Sequence, residues 1–469
     1  GYNQYGQLGD GTVTQTRLEP VWVTEGSGAQ LTGLIGLAGG YRHSLALRAY
    51  GTVWAWGQNQ YGALGDGTTT DRSRAVLLTD GGGVAITDVV AVAAGQNFSL
   101  ALKRDGQVLA WGYNTQGQLG DGTTTTRLRP VAVLDTTTLP LTGVEAIAAG
   151  SNHSLALTAT GQVLAWGDNN YGQLGDGTQQ DRFYPELVEA ADGSALTGIT
   201  VIDAGNLHSL ALSDDTGIWA WGYNSSGQLG DGTFTTPRTQ AARVLEFGGG
   251  ELTDAVALTA GSSHSLALLA DGTLRAWGYN NEGQLSDGSL QQKAYAVPVV
   301  DGNLDPVAYI GVPGDPGDPT LDSDGDGVPD SADAFPFDAS WQADVDGDGL
   351  ADGWEVQYFG DLSTTDGTVD TDGDTVLDAE EFARGSDPAV VPGFINQPLA
   401  AGDSHTLALR VDGTVLAWGS NSQGQLGDGT TEIRPYPVPV IQGGVPVTDV
   451  RVVVAGSVHS LGLTGDGRA

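Results

Sequence analysis

The sequence predicts an all-β fold, a propeller of four-stranded antiparallel blades, because two phrases recur at a regular period along its 469 residues. One phrase has the form GxNxxGQLGDGT and the other AGxxHSLAL, and each occurs seven times. The first phrase begins at Gly1, Gly57, Gly112, Gly167, Gly222, Gly278 and Gly419. Its step is 55 or 56 residues, except for one step of 141 residues that contains an insertion. Repeated units of this length, each with four short strands, are typical of propeller blades.

Each repeat carries the signals of four strands, and one copy shows them in order. Residues 153–157 alternate large apolar with small side chains, which predicts a short strand. A Thr-Gly pair then gives a two-residue hairpin signal, and residues 163–166 form the returning strand. After a glycine-rich loop, residues 183–188 and 197–203 supply two further β runs. Four strands joined by tight turns are therefore expected in every repeat.

The two phrases resemble the repeat of the regulator-of-chromosome-condensation propeller family, and the resemblance covers nearly everything outside the insertion. That family implies a seven-bladed β-propeller. We expect residues 1–302 to form the blades before the insertion, and residues 395–469 to form the last blades and close the ring with the N-terminus. The chain begins at the Gly of one Trp-Gly pair and stops shortly before the next, so we expect a monomeric propeller within a longer chain, with its seventh blade shared between the termini.

The charge balance argues against two classes of partner. Asp and Glu number 57 against 19 Lys and Arg, which gives a net charge of −38. Binding to nucleic acid requires cations that neutralise phosphates, and binding to an anionic membrane surface requires basic segments. No apolar run is long enough to insert into a membrane. The chain has no Cys, which excludes disulfides and thiolate chemistry.

The insertion, residues 303–394, contains 23 Asp or Glu and a single Arg. Three segments within it place carboxylates at positions 1, 3, 5, 9 and 12, the ligand spacing of an EF-hand loop. The first has Asp322, Asp324, Asp326, Asp330 and Asp333, the second Asp344, Asp346, Asp348, Asp352 and Glu355, and the third Asp370, Asp372, Asp374, Asp378 and Glu381. Calcium is a hard cation that takes six to eight oxygen ligands, so the pattern predicts calcium as a cofactor.

The three loops resemble thrombospondin type 3 repeats and dockerin-type calcium repeats, which implies a small insertion of low secondary-structure content. Gly327 and Gly349 stand at position 6 of the first two loops, where the turn is sharp. The third loop has Thr375 there, and a β-branched residue tolerates positive φ poorly. The alternative interpretation is an acidic linker without a metal.

The repeated polar residues allow a functional and a structural interpretation. All six histidines occupy one repeat position, and Phe98 occupies it in the seventh copy. A ring of metal ligands or catalytic groups would not tolerate Phe, so the histidines are predicted to be buried structural residues. The repeated Asp of the GDG phrase is expected to be a turn residue, and the repeated Trp to pack between blades. No nucleophile elbow, phosphate loop or zinc helix is present, so we expect no enzymatic activity.

Variable positions inside the repeated phrases predict a partner-binding face. Equivalent residues of stacked repeats fall on a ring, and Tyr and Arg are frequent binding anchors. One ring follows Trp-Gly and another precedes the His of AGxxH. The candidate contact residues are Tyr2, Tyr41, Arg42, Tyr113, Tyr223 and Tyr279. Tolerated surface variation remains an alternative explanation.

These observations together predict an extracellular or cell-surface module, bacterial, that binds a protein partner or mediates adhesion. No signal peptide is present in the sequence. The resembled family includes a bacterial propeller that inhibits a β-lactamase, so inhibition of a secreted enzyme through a loop face is an alternative. The family is also known for a guanine-nucleotide exchange factor of a small GTPase. The strong acidity and the calcium loops argue against exchange activity here.

Overall fold

The computed structural model describes residues 1–13, 16–303, 398–410 and 412–469. The chain divides into two compact units, one of residues Gly1–Ile310 with Asn396–Ala469 and the other of residues Gly311–Ile395. The predicted calcium loops, at residues 322–381, lie outside the described residues. In the residues that are described, every regular element is a β-strand, and no helix is long and apolar enough to cross a membrane.

In the part of the chain that the structure describes, six four-stranded antiparallel sheets form the blades, each a meander in sequence order. The first contains β1 Leu34–Gly39, β2 His43–Arg48, β3 Thr52–Gly57 and β4 Arg72–Leu77; the second β5 Val89–Ala94, β6 Phe98–Lys103, β7 Val108–Gly112 and β8 Arg127–Ala132. The third contains β9 Val144–Ala149, β10 His153–Thr158, β11 Val163–Gly167 and β12 Arg182–Leu187; the fourth β13 Ile199–Ala204, β14 His208–Ser213, β15 Ile218–Gly222 and β16 Arg238–Arg243. The fifth contains β17 Ala255–Ala260, β18 His264–Leu269, β19 Leu274–Gly278 and β20 Lys293–Pro298; the sixth β21 Leu399–Ala401, β22 His405–Leu409, β23 Val415–Gly419 and β24 Arg434–Pro439.

The prediction of seven four-stranded blades is wrong in its count. Beyond the six blades, the described residues contain a short hairpin, β25 Ile441–Gln442 with β26 Val445–Pro446, and a two-stranded sheet, β27 Val450–Ala455 with β28 Ser460–Thr464. The third strand of each blade comes from an Ala-Trp-Gly segment, and no such segment follows β28. The N-terminal residues lie there instead: Tyr2 N donates to Val458 O at 3.0 Å and Val23 N to Ala469 O at 2.8 Å.

The two-stranded sheet lies between the sixth blade and the first, and the ring closes through it. The turn after each innermost strand bonds to the corresponding turn of its neighbour. Asp403 N donates to Ser457 O at 3.3 Å, and Ser457 N donates to Gly40 O at 3.3 Å. Between blades the same contact joins Gln96 N to Ser151 O at 3.1 Å. The unit therefore has one continuous inner rim.

The repeated tryptophans pack between blades, as the sequence predicts. The indole of Trp166 is fully buried and donates from Nε1 to Gln118 O at 3.0 Å, in the loop contributed by the preceding blade. The same carbonyl accepts the Ser154 hydroxyl at 2.8 Å. Each of the six blades repeats this arrangement, with Trp56, Trp111, Trp166, Trp221, Trp277 and Trp418 as donors. Apolar burial and a satisfied indole N–H together join neighbouring blades.

The histidines are buried structural residues, and the Nε2 atom of each lies beside a hydroxyl group. Nε2 of each lies 3.0 to 3.2 Å from a Ser or Thr hydroxyl one blade along. Ser209 donates its own proton to Gln173 O at 2.9 Å, so His153 must donate from Nε2. Burial lowers the pKa of His153 to about 3 and that of His43 to about 4. The rings are therefore neutral donors, and no group of three metal-ligating side chains is found in the described part of the chain.

The Asp of each GDG phrase holds its loop together and also pairs with a cation. Asp66 accepts bonds from Thr68 N at 2.9 Å, Asn59 Nδ2 at 3.1 Å and Arg72 at 2.6 Å. Burial opposes ionisation, but the bonds from Thr68 and Arg72 leave the pKa of Asp66 below its usual value. The equivalent Asp–cation pair occurs in all seven copies. The turn interpretation is correct but incomplete, because in six of the copies the pair also anchors the first residue of the outermost strand.

Candidate partner-binding face

The two predicted sets of repeat positions, one after Trp-Gly and one before the His, lie side by side on one edge of the sheets. The residue after Trp-Gly donates its backbone N–H to the carbonyl of the residue before the His. Tyr113 N bonds to Asn97 O at 2.9 Å, Tyr223 N to Leu207 O at 2.9 Å, and Tyr279 N to Ser263 O at 2.8 Å. Gln58 N bonds in the same way to Arg42 O at 2.8 Å. These backbone hydrogen bonds thus hold the two sets of positions next to each other in each blade.

Three of the predicted residues, Tyr2, Tyr41 and Arg42, meet at the junction of the two-stranded sheet and the first blade. The guanidinium carbon of Arg42 lies 4.8 Å from the ring centre of Tyr41, 5.8 Å from that of Tyr2 and 5.0 Å from that of Tyr5. Arg42 also donates to the Tyr5 hydroxyl at 3.2 Å. We call Tyr2, Tyr5, Tyr41 and Arg42 the arginine–tyrosine cluster. Its ring–cation contacts hold four half-buried side chains in a defined arrangement.

Two other predicted tyrosines pair with tyrosines of a neighbouring repeat. The rings of Tyr61 and Tyr113 have centroids 4.9 Å apart, and those of Tyr171 and Tyr223 are 4.8 Å apart. The first pair is tilted and the second is edge-to-face, and both are favourable geometries for aromatic rings. Tyr279 is half-buried on the same edge, and the structure brings it into none of these clusters. The candidate face is therefore two tyrosine pairs and one arginine–tyrosine cluster, with Tyr279 apart from them.

Three tyrosines of this face were missed by the sequence analysis: Tyr5, Tyr61 and Tyr171. They share the fifth position of the GxNxxG phrase, so the repeat frame itself contains the signal that could have found them. Their partners belong to other positions of the frame and, for Tyr61 and Tyr171, to the next repeat. Such contacts depend on how neighbouring blades stack.

A buried acid lies near the arginine–tyrosine cluster. Asp403 sits on the inner rim and accepts the Ser457 hydroxyl. Burial raises the pKa of the Asp403 carboxyl, against the opposing effects of the Ser457 hydrogen bond and the charge of Arg42. Arg42 itself forms no ion pair within the described residues; its Nε is buried without a hydrogen-bond partner. The arginine–tyrosine cluster thus presents aromatic rings around the guanidinium group of Arg42.

Comparison with known proteins gives the family. A model described as the RCC1-like domain matches residues 1–312, and one for the regulator of chromosome condensation repeat matches residues 399–425. The chain is 31% identical over 256 residues to the ultraviolet-B receptor UVR8 of Arabidopsis thaliana, covering 54% of this chain and 55% of the receptor. It is 34% identical over 251 residues to the RCC2 homolog of Danio rerio, covering 49% of each chain. The chain thus spans about half the length of these relatives.

Solved structures support the same fold. Human WBSCR16 has a TM-score of 0.61 at 21% identity, covering 92% of this chain and 87% of its own. Yeast RCC1 (Prp20), crystallised with Kap60, has a TM-score of 0.58 at 21% identity, covering 92% and 80%. Sequence identities this low support a shared fold and nothing further. Since the family model matches well over half of the residues, the chain belongs to the RCC1-like domain family.

Proposed function

We propose that this chain is a protein-binding module whose contact surface is the tyrosine-bearing edge of the propeller. The observation that carries the proposal is the arginine–tyrosine cluster, in which three rings lie within 6 Å of one guanidinium. Tyr and Arg dominate the energetics of protein interfaces, and side chains already held in place lose little entropy on binding. A relative of the same fold, Prp20p of yeast, has been studied for its binding to Gsp1p and histones.

The proposed setting is extracellular or at a bacterial cell surface, and the proposed role is adhesion or recognition of a surface protein. The strong negative charge favours a partner with a basic rim around an aromatic or polar centre, because complementary potentials speed association. Inhibition of a secreted enzyme would use the same edge, so it differs only in the partner's identity.

Affinity capture with matched variants tests the contact surface. We expect a cell-envelope or secreted protein to bind the unmodified chain and to lose at least about 30-fold in affinity when Arg42 and Tyr41 are both replaced by Ala. The control is Tyr50→Ala, because Tyr50 is 96% exposed and follows the opposite end of β2. If the partner bound both variants and the unmodified chain equally, its contact surface would lie elsewhere on the protein. A captured enzyme that loses activity on binding would identify the module as an inhibitor.

We further propose that the acidic insertion binds calcium. The support is the sequence spacing of the three loops and their resemblance to extracellular calcium repeats. Titration by calorimetry should show saturable binding near 10⁻⁴ to 10⁻³ M, the range of extracellular modules. Changing Asp344, Asp346 and Asp348 to Ala should remove about a third of the sites and leave the remainder. A flat titration of the unmodified chain would mean that the insertion is an acidic spacer.

A further inference from the structure

The Gln that recurs in the GQLGDGT phrase is buried, and its amide is held in one orientation. Gln7 Oε1 accepts the N–H of Tyr5 at 3.1 Å, and Gln118 Oε1 accepts that of Gln116 at 3.1 Å. Because a backbone N–H can only donate, the end of the amide that faces it is the oxygen, and Nε2 is a donor directed elsewhere. In Gln118 that donor reaches Asn152 Oδ1 at 3.1 Å. Asn152 is the residue before the His of the next blade.

At the arginine–tyrosine cluster, the same geometry brings two donors together. Arg42 occupies the place of Asn152, one residue before His43, so Gln7 Nε2 is directed at the Arg42 side chain. Gln7 is fully buried, and among the described residues neither its Nε2 nor Arg42 Nε has a hydrogen-bond partner. An amide nitrogen and a guanidinium group can only donate, so neither satisfies the other. Buried donors of this kind are stabilised by an acceptor from elsewhere.

The charge of Arg42 distinguishes this place from the equivalent places in other repeats. Three other copies also have a buried Nε2 without a partner in the described part of the chain: Gln173, Gln228 and Gln284. The residues before the corresponding histidines are neutral: Leu207, Ser263 and Ser404. A single neutral amide is satisfied by a water molecule. A guanidinium group beside the amide favours an anion instead, because bonds between charged partners are stronger.

The Tyr5 hydroxyl marks the position of the acceptor. Arg42 Nη1 donates to this hydroxyl at 3.2 Å. A carboxylate in its place forms charge-assisted bonds, which are roughly twice as strong as bonds to a neutral group. It accepts two donors of the guanidinium fork and keeps lone pairs for Gln7 Nε2. The rings of Tyr41 and Tyr5, with centres 4.8 and 5.0 Å from the guanidinium carbon, provide apolar surface beside it.

The surroundings favour a carboxylate that arrives on a protein. The buried carboxyl of Asp403 accepts the Ser457 hydroxyl and forms no ion pair with Arg42 in the described ranges. The chain has a net charge of −38, which repels small free anions. A partner with basic residues around an acidic one is attracted by the same charge and carries the carboxylate with it.

We propose that Arg42 and Gln7 form a binding site for one acidic side chain, Asp or Glu, of the protein partner. The inference rests on the proposed function, because it names the group that the arginine–tyrosine cluster recognises. The carboxylate accepts from the guanidinium group of Arg42 and from Gln7 Nε2, and it displaces the Tyr5 hydroxyl. The methylene groups of the side chain lie against the rings of Tyr5 and Tyr41.

One substitution at two equivalent positions tests the site without a partner. Gln7→Glu keeps the oxygen that accepts from Tyr5 N and places a carboxylate oxygen beside Arg42. We expect its melting temperature to equal or exceed that of the unmodified chain. Gln228→Glu places the same charge beside the neutral Ser263, and its melting temperature should fall by at least about 5 °C. Equal changes at the two positions would overturn the proposal.

A peptide titration tests the ligand directly. The probes are acetyl-Lys-Gly-Glu-Gly-Lys-amide and the same peptide with Gln in place of Glu. Binding to the full chain is followed by NMR through the Nε–H of Arg42 and the backbone amide of His43. We expect the Glu peptide to bind at least about tenfold more tightly than the Gln peptide. Arg42→Gln and Gln7→Glu should each abolish this preference, the second because its own carboxylate occupies the site.

Equal binding of the two peptides would overturn the proposal, and so would inorganic phosphate that binds as tightly as the Glu peptide. The proposed function fails on a different result. A captured partner that loses affinity when Arg42 and Tyr41 are replaced, combined with equal binding of the peptides, would refute this inference alone. A captured partner that keeps its full affinity for that double variant would refute the proposed contact surface instead.

Discussion

The ring of buried histidines should make the protein's stability fall steeply between pH 7.5 and pH 5.5. Burial lowers the pKa of His153, His208, His264, His405 and His459 to about 3 and that of His43 to about 4. The reference value for an unfolded histidine is 6.5. The folded state therefore binds fewer protons than the unfolded state throughout this interval. Stability is fully present above pH 6.5 and is lost as the pH falls toward the folded pKa values.

The magnitude follows from proton linkage. As the pH falls from 7.5 to 5.5, each histidine binds a proton in the unfolded state but not in the folded state. This difference lowers the free energy of unfolding by about 1.4 kcal/mol per histidine. Six such residues give about 8 kcal/mol, as large as the whole stability of many domains. A comparison of variants separates the histidines from other titrating groups.

The matched variant is His208→Phe, because Phe98 already occupies the equivalent position in the second blade. A Cβ on Gly95 would lie 2.1 Å from the Phe98 ring, much as one on Gly205 would lie 2.2 Å from His208. Phenylalanine therefore packs against the glycine at nearly the same distance as histidine does and needs no additional space. Ser265 keeps an acceptor in the variant, because its hydroxyl donates to Gln228 O at 2.9 Å.

Urea unfolding followed by tryptophan fluorescence at pH 7.5, 6.5 and 5.5 measures the effect. The variant should lose about 1.4 kcal/mol less than the unmodified chain between the extremes, whatever its stability at pH 7.5. Adding His153→Phe should double the difference. Parallel pH profiles for the three proteins would refute the assignment of this stability loss to the histidine ring.

Two further predictions concern the contacts that every repeat shares. Gly205→Ala should lower the free energy of unfolding by about 3 kcal/mol, because the new Cβ meets His208 Cε1 at 2.2 Å. Gly26→Ala, with no atom within 4 Å, should change it by less than about 0.5 kcal/mol in the same urea titration. Arg127→Met should cost about 1 kcal/mol at pH 7, since it leaves the Asp121 carboxylate without its cation. That loss should shrink below pH 3.8, as Asp121 becomes protonated, and a constant difference down to pH 2.5 would contradict it.

The strands could be predicted closely because their signals are local. Residues 153–157 and 163–166 were expected as a hairpin, and the structure has β10 and β11 there, one residue longer each. Residues 183–188 and 197–203 correspond to β12 and β13, displaced by one or two residues. Alternating side chains and Gly-containing turns specify such elements without reference to distant residues.

The cross-blade contacts could not be predicted from one repeat. The hydroxyl partner of His153 is Ser209, 56 residues away, and its identity depends on how two sheets stack. The blade count failed for a different reason. The sequence has seven HSLAL-type segments but six Ala-Trp-Gly segments, and a four-stranded sheet needs both.

The distribution of the cations bears on the binding face. Seven of the 19 Lys and Arg residues are held by the Asp of a GDG phrase. Those cations hold the outer strands in place and offer little charge to a partner. Arg42 differs, because its contacts are tyrosine rings and it forms no ion pair in the described ranges. An arginine over aromatic rings keeps hydrogen-bond donors for an incoming group. The arginine–tyrosine cluster is thus the part of the face where a substitution should separate binding from folding.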